Sequence, residues 1–245
     1  MNILVCISAV PDTTTKITFT ENNTKFNTEG VQFIINPYDE LALTKALLLT
    51  EAHGGEVHIV TVGVASVEPI IRKSLAIGAS KAFRIDIEPN DGMEVAREVA
   101  ALVDGKDYQL IMTGRESIDY NGGQVAPILS ELTNRSLANI VTEMDIVDDK
   151  LVATRDIDGG KEKISCSLPA VVSAQKGLCE PRIPNMRGIM QARMKPLEVI
   201  AASNSNNSTS FQSYELPAAK GDVKLIDASE AETLIDFLRD EQKLI

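Results

Sequence analysis

Apolar residues run almost without interruption through ILVCISAV (3–10), the pattern of a strand covered on both faces. Residues 16–34 differ: two alternating stretches flank Glu21-Asn22-Asn23, which predicts a surface hairpin. From Asn36 the period becomes helical, with Leu41, Leu43, Ala46, Leu47 and Leu49 ahead of a Gly54-Gly55 stop. Asn36 stands at the N-cap position and Pro37 in the first turn. EVHIVTVG (56–63) reads as another buried strand, followed by a helix over 66–77 that ends at Gly78. Next come a strand at 81–87, a helix over 92–104, a strand at 108–114, and a helix at about 123–133 behind Gly122-Gly123. This alternation predicts an α/β fold, a doubly wound, mostly parallel sheet covered by helices.

The rhythm breaks at 140–175. Three or four alternating runs, separated by Asp148-Asp149 and Asp158-Gly159-Gly160, predict an antiparallel extension at the sheet edge. Residues 176–196 read as irregular and locally basic, with Lys176, Arg182, Arg187, Arg193 and Lys195. The polar stretch 201–214 reads as a linker. Beyond it, Ser229-Glu230-Ala231-Glu232 has the form of a capping box, opening a helix with Leu234, Ile235 and Leu238 on its apolar face. A lone helix must dock to be stable, either on its own domain or on a partner. The expected division is a nucleotide-binding domain over 1–200 and a linker with a helical arm over 201–245.

Composition narrows the chemistry. The 245 residues, 44% of them hydrophobic, suffice for a large core. The 24 Lys and Arg against 35 Asp and Glu give a net charge of −11, which argues against nucleic-acid binding but leaves room for a small nucleotide at a local site. No apolar run approaches the roughly 20 residues that span a bilayer. The N-terminus has neither a basic region nor a small-residue cleavage site. A cytoplasmic, bacterial setting without membrane insertion is the expectation. Cys6, Cys166 and Cys179 lack C-x-x-C spacing, and with two histidines, His53 and His58, no metal cluster or disulfide framework is expected. Two of the thiols are expected to be buried and one to lie in a loop.

In an open parallel sheet, ligands bind beyond the carboxyl ends of the strands. The loops of interest are 8–12, 36–39, 62–65 and 114–124. The last, GRESIDYNGGQ, places glycines before a helix N-terminus, where N–H groups and the helix dipole can hold a phosphate. A tight turn would explain the same glycines equally well. At 36–39 the helix start already carries Asp39 and Glu40, so this loop suits an uncharged base or sugar, or Asp39 serves only as a cap. The chain has no G-x-x-x-x-G-K-[ST] loop, no G-x-G-x-x-G turn after its first strand, no G-x-S-x-G elbow and no evident nucleophile–histidine pair. No catalytic residue is assigned. An ATP-using ligase on a similar sheet would need a pyrophosphate loop where Ser8-Ala9-Val10-Pro11-Asp12 stands without glycines.

The segments NPYDELAL (36–43), IIRKSLAIGASKA (70–82), GRESIDYNGGQVAP (114–127), TRDIDGGKEKISCSLPAVVSAQ (154–175) and EPRIPNMRGIMQARMKPLEVI (180–200) follow one another as in a known family. The chain resembles the β-subunit of electron transfer flavoprotein along essentially its whole length. The resemblance implies an electron-transfer subunit, not an enzyme, working as a heterodimer with an α-subunit that holds most of the FAD. It further implies a buried AMP, contacted by Cys6, Asn36, Pro37, Tyr38, Asp39, Val62, Gly114, Arg115, Ser117, Ile118, Asp119, Asn121, Gly122, Gly123, Gln124 and Val125. Val125 stands where many AMP-binding relatives carry Thr. Bifurcating relatives, which hold a second FAD reduced by NADH in this pocket, often carry Asp-Gly-Asp-Thr where this chain has Asp119-Tyr120-Asn121-Gly122. That difference favours AMP over a second FAD.

The resemblance also implies a partner-recognition loop at 182–195, containing Arg182, Ile183, Pro184, Asn185, Met186, Arg187, Ile189 and Met190, with Met186 in place of an anchoring Leu. A flexible thioether suits varied docking pockets. Acyl-CoA or other flavin dehydrogenases would donate electrons, and a quinone oxidoreductase would accept them. Arg155 and Asp156 fall where the family has an Arg-Glu pair near the flavin domain.

Overall fold

The computed structural model describes residues 1–203 and 209–245. Residues 204–208, part of the expected linker, lie outside the described residues. The apolar run 3–10 is two strands, β1 (Asn2–Cys6) and β2 (Ala9–Pro11). They separate because Ser8 donates its N–H to the Asp39 carboxylate at 2.7 Å and accepts the Asn36 N–H at 3.0 Å, drawing the backbone out of the main sheet. The hairpin β3 (Phe19–Thr20) and β4 (Lys25–Phe26) turns at Glu21, Asn22 and Asn23, all three with positive φ. β5 (Phe33–Ile35) returns to pair antiparallel with β2.

The expected alternation then holds. It runs through α1 (Pro37–His53), β6 (Glu56–Val62), α2 (Glu68–Ile77), β7 (Lys81–Asp86), α3 (Gly92–Val103), β8 (Leu110–Gly114) and α4 (Val125–Thr133). β9 (Ser136–Val147), β10 (Lys150–Ile157) and β11 (Gly160–Ser167) form the antiparallel edge. The fourth run departs from expectation. β12 (Ala170–Ala174) pairs parallel with both β8 and β9 inside the sheet, and all five of its residues are buried, as a strand covered on both faces requires.

Residues 176–196 are less irregular than expected, since they contain the short helix α5 (Met186–Ala192), capped by Asn185, whose Oδ1 accepts the Gly188 N–H. β13 (Leu197–Ala201), which the pattern did not suggest, pairs parallel with β7 at the other edge. Among the described residues the sheet has nine strands, in the order β11-β10-β9-β12-β8-β1-β6-β7-β13. Leu43, Leu47, Ile71 and Leu75 of α1 and α2 pack on one face, and Ala96, Val99 and Leu129 of α3 and α4 on the other. Each fully buried Leu or Ile contributes about 1.5–3 kcal/mol. Among the described residues no helix is long and apolar enough to cross a membrane. All three cysteines are free, but only Cys6 is buried, not two; Cys166 and Cys179 are half-buried.

The arm lies on its own domain over its first part. Tyr214 stacks on Phe19, with ring centroids 4.9 Å apart, and donates its N–H to the Asn23 carbonyl at 2.7 Å. Its last helical segment, α6 (Ala231–Asp236) continued by a π-type turn (Phe237–Glu241), has no buried residue. The expected capping box at Ser229 does not form. Asp227 accepts both the Ser229 N–H and hydroxyl, so the acid two positions earlier takes the capping role.

Candidate functional site

From β1 the chain steps through β6 to β7, then returns with β8 on the opposite side of β1. The loops leaving β1 and β8 therefore part at the strand ends, where a crevice opens. Asp39, in the first turn of α1 and 3% exposed, bridges the two loops. Its Oδ2 accepts the Ser8 N–H at 2.7 Å and its Oδ1 the Gly114 N–H at 2.8 Å. Only glycine fits at 114, because a Cβ there would lie 2.5 Å from Asp39 Oδ1 and 2.6 Å from Tyr38 Cβ. Burial pushes the Asp39 carboxyl up to about 6, against the N–H donors that pull it down. Burial, aided by the Asp39 charge, also pushes the Cys6 thiol up, which keeps it an inert neutral group.

Asn36 is buried at the N-cap position of α1, yet its side chain does not cap the helix. Its Nδ2 donates to the Glu116 carbonyl at 2.8 Å, and its Oδ1 has no hydrogen-bond partner among the described residues. Thr61 Oγ1, one residue before Val62 at the end of β6, is likewise buried without a partner. Unsatisfied groups of this kind cost on the order of 1–3 kcal/mol each and call for a bond from outside the chain.

The loop 114–124 is closed at its base by the Ser117 N–H, which donates to the Gly122 carbonyl at 3.1 Å. Ile118, Asp119, Tyr120 and Asn121 form the tip, with Asn121 at φ 55°. Asp119 folds back to accept from Ser117 Oγ and the Tyr120 N–H. Gly122 passes under the Tyr120 ring, where a Cβ would come within 2.1 Å. Arg115 pairs with Glu116 at 2.9 Å and lies 5.5 Å from the centre of the Tyr38 ring. Gly123 and Gln124 lead into α4, whose N-cap has no side-chain bond and whose first turn has no acid. By contrast, α1 and α2 carry acids in their first turns, and α3 is capped by Asp91. Among α1 to α4, only α4 leaves its positive end uncompensated, which suits a phosphate. An orphaned amide oxygen for a base or sugar and an open helix end for a phosphate fit a nucleotide such as AMP.

A family model described as the electron transfer flavoprotein domain matches residues 23–205. The chain is 36% identical to the electron transfer flavoprotein subunit beta of Bacillus subtilis, over the whole of both chains. It is 32% identical to that of Syntrophomonas wolfei, over all of this chain and 98% of the relative. The chain belongs to the electron transfer flavoprotein β-subunit family. The subunit beta of Homo sapiens is 32% identical over 82% of this chain and 81% of its own. The family is one of electron-transfer proteins.

The segment that the family resemblance marks for partner recognition is held firmly in place. Arg182 makes two bonds to the Glu51 carboxylate of α1, at 2.7 and 3.0 Å. Lys195 Nζ donates to the Leu75 and Ala79 carbonyls at the end of α2, and Arg72 donates to the Ala192 and Lys195 carbonyls. Gly188 lets α5 touch α2, since a Cβ there would meet the Ala76 carbonyl at 2.4 Å. The basic cluster is therefore smaller than its sequence suggests. Arg182 and Lys195 are engaged within the subunit, while Arg187 and Arg193 form no ion pair among the described residues. Ile183, Met186, Met190 and Met194 are 70–88% exposed, and Ile189 is exposed as well. Pro184 and Asn185 lead into α5.

Arg155 and Asp156 sit far from the crevice, on β10 in the antiparallel edge. Arg155 Nε bonds Glu162, its register partner on β11, at 2.6 Å; Asp156 stands opposite Lys161. Sequence reasoning did not single out Asp91, Thr209 or Phe211, which with Tyr120 enclose a cavity of about 210 Å³ beside Gly122 and Gln124. A signal for Asp91 was present: Asp91-Gly92-Met93-Glu94 is a capping pattern, and Asp91 Oδ1 accepts the Glu94 N–H at 2.8 Å.

Proposed function

We propose that this chain is the β-subunit of a heterodimeric electron transfer flavoprotein, acting in the bacterial cytoplasm. It scaffolds the FAD-bearing domain of an α-subunit, buries a structural AMP and presents the loop 182–195 to partner dehydrogenases. Electrons from acyl-CoA or other flavin dehydrogenases pass to the FAD, which carries them to an acceptor such as a quinone oxidoreductase. A flavin domain moving over a fixed platform can approach each partner in turn.

The observation that carries the AMP reading is the buried, unpartnered Asn36 Oδ1, in the same crevice as the uncapped start of α4. The orphan accepts from a hydroxyl or amino group of the nucleoside, and α4 with Gly122 and Gly123 receives the phosphate. The bound nucleotide stabilises the folded subunit by mass action. In the partner-facing loop, Met186 is the docking knob, and Arg187 supplies positive charge to an acidic rim. Arg155 and Asp156 face the flavin domain, and the last helix docks its apolar side on the α-subunit.

The test is to purify the chain with its α-subunit, release the bound nucleotides with acid, and quantify them. One FAD and one AMP per heterodimer are expected. Two flavins and no AMP would overturn the reading in favour of a bifurcating flavoprotein with a second, NADH-reduced FAD.

A further inference from the structure

The cavity beside Gly122 and Gln124 borders the start of α4, where the proposed phosphate ends, so it is the space that a longer nucleotide would enter. Its far wall is built from a different part of the chain. Thr209 Oγ1 donates to Asp91 Oδ2 at the capped start of α3, and Phe211 closes the gap beside Tyr120. Phe211 is itself stacked on Tyr214, with centroids 5.3 Å apart, and Tyr214 on Phe19. The arm is thereby anchored on the β3–β4 hairpin.

The charge at this wall is negative. The Thr209 hydroxyl and the Glu94 and Met93 N–H groups hold the Asp91 carboxyl below its ordinary range. Asp119 and Asp91 both act on the Tyr120 hydroxyl, whose ionisation burial and these charges suppress. Arg97 is the cation near Asp91. A second phosphate reaching beyond the start of α4 would meet the Asp91 carboxylate in the cavity lining, with the Asp119 charge acting from behind the Tyr120 ring, against an aromatic wall.

We infer that Asp91, Tyr120, Thr209 and Phe211 form a stop that limits the crevice to a nucleoside monophosphate and rejects nucleotides carrying a pyrophosphate, such as ADP or FAD. The inference rests on the AMP reading above and adds what sets the length of the ligand. It also assigns the arm a role within its own subunit. Asp91 is suited to this role because its carboxylate is both the α3 cap and the repulsive group.

The test uses the full heterodimer freed of bound nucleotide, with AMP and ADP titrated separately by calorimetry. The wild type is expected to bind AMP at least about tenfold more tightly than ADP. Asp91→Asn keeps a capping oxygen while removing the charge, and Phe211→Ala opens the wall. The double variant is expected to hold AMP within about threefold of wild type, while its preference for AMP over ADP falls about tenfold. Thr209→Val, on an exposed stretch of the arm, should shift the preference the same way by a smaller factor. An AMP-binding wild type whose preference is unchanged in both the double variant and Thr209→Val overturns the stop and leaves the AMP reading intact. A wild type that binds no AMP overturns both.

Discussion

Asp39 and Gly114 lie 75 positions apart in the chain and meet at 2.8 Å, carboxylate oxygen to backbone N–H, where β1 and β8 part. The same carboxylate holds the Ser8 N–H, so one side chain fixes both lips of the crevice and the start of α1. Both bonds of the Asp39 carboxylate thus serve the frame of the crevice, and three residues earlier Asn36 Oδ1 is buried without a partner among the described residues.

Asp39 should give stability a defined pH dependence. Burial raises its folded-state value from the ordinary 3.8 to about 6, so between those limits the native state retains a proton that the unfolded chain has released. Stability contributed at low pH is then lost as pH rises through this window and is level above it, by at most on the order of 3 kcal/mol. Urea denaturation of wild type and Asp39→Asn at intervals from pH 4 to 7 measures the difference. The advantage of wild type should shrink towards pH 6. Parallel curves would remove the titration from Asp39.

Gly114→Ala should damage the crevice without touching the hydrophobic core. The new Cβ would fall on Asp39 Oδ1 and Tyr38 Cβ, and on the Asp39 backbone nitrogen at 3.0 Å. Separating these elements should cost about 1–3 kcal/mol and reduce AMP retained on purification. Thermal denaturation and nucleotide content together check this; an unchanged content with lowered stability would place the ligand elsewhere.

Local chemistry made much of this fold legible. The buried runs at 56–62 and 110–114, and the helix stops at Gly54 and Gly78, sufficed for the parallel rhythm. Pairing partners were less accessible. Val10 is as apolar as Val5, so the run 3–10 did not reveal that its end crosses to another sheet through Ser8. Ala170 to Ala174 follow an antiparallel meander, and nothing in their composition names β8 as a neighbour. The basic loop misled for a similar reason. Glu51 is 131 positions from Arg182, and the carbonyls that hold Lys195 belong to Leu75 of α2 and to Ala79 just beyond it. The loops around the crevice were legible, because glycines and helix starts mark strand ends. The cavity wall was not, because Phe211 reaches it from a polar tract.

Gly188→Ala separates the placement of the proposed docking loop from its chemistry. In an exposed helix this substitution would ordinarily add up to about 1 kcal/mol of helix stability. Here the methyl would come within 2.4 Å of the Ala76 carbonyl and push α5 off α2, displacing Met186 and Met190 together. Stopped-flow transfer from a partner dehydrogenase should slow about tenfold or more, with flavin and AMP content unchanged. Met186→Ala should slow the same step while leaving α5 in place. A normal rate in the glycine variant would show that this helix does not set the encounter.

Phe19→Ala tests whether the arm is held by its aromatic stack. Phe19 lies on the small β3–β4 hairpin outside the main core, and its ring is the platform for Tyr214. An aromatic pair of this kind contributes about 0.5–1.5 kcal/mol, so its loss should raise local opening of the arm up to about tenfold. Hydrogen exchange reads this directly at the Tyr214 amide, which donates to the Asn23 carbonyl. Exchange over residues 209–216 should accelerate while the amides of β1 and β8 keep their protection, since their hydrogen bonds belong to the nine-stranded sheet. Undisturbed protection of the Tyr214 amide would mean that the Thr209–Asp91 bond and the neighbouring backbone suffice to hold the arm without the ring stack.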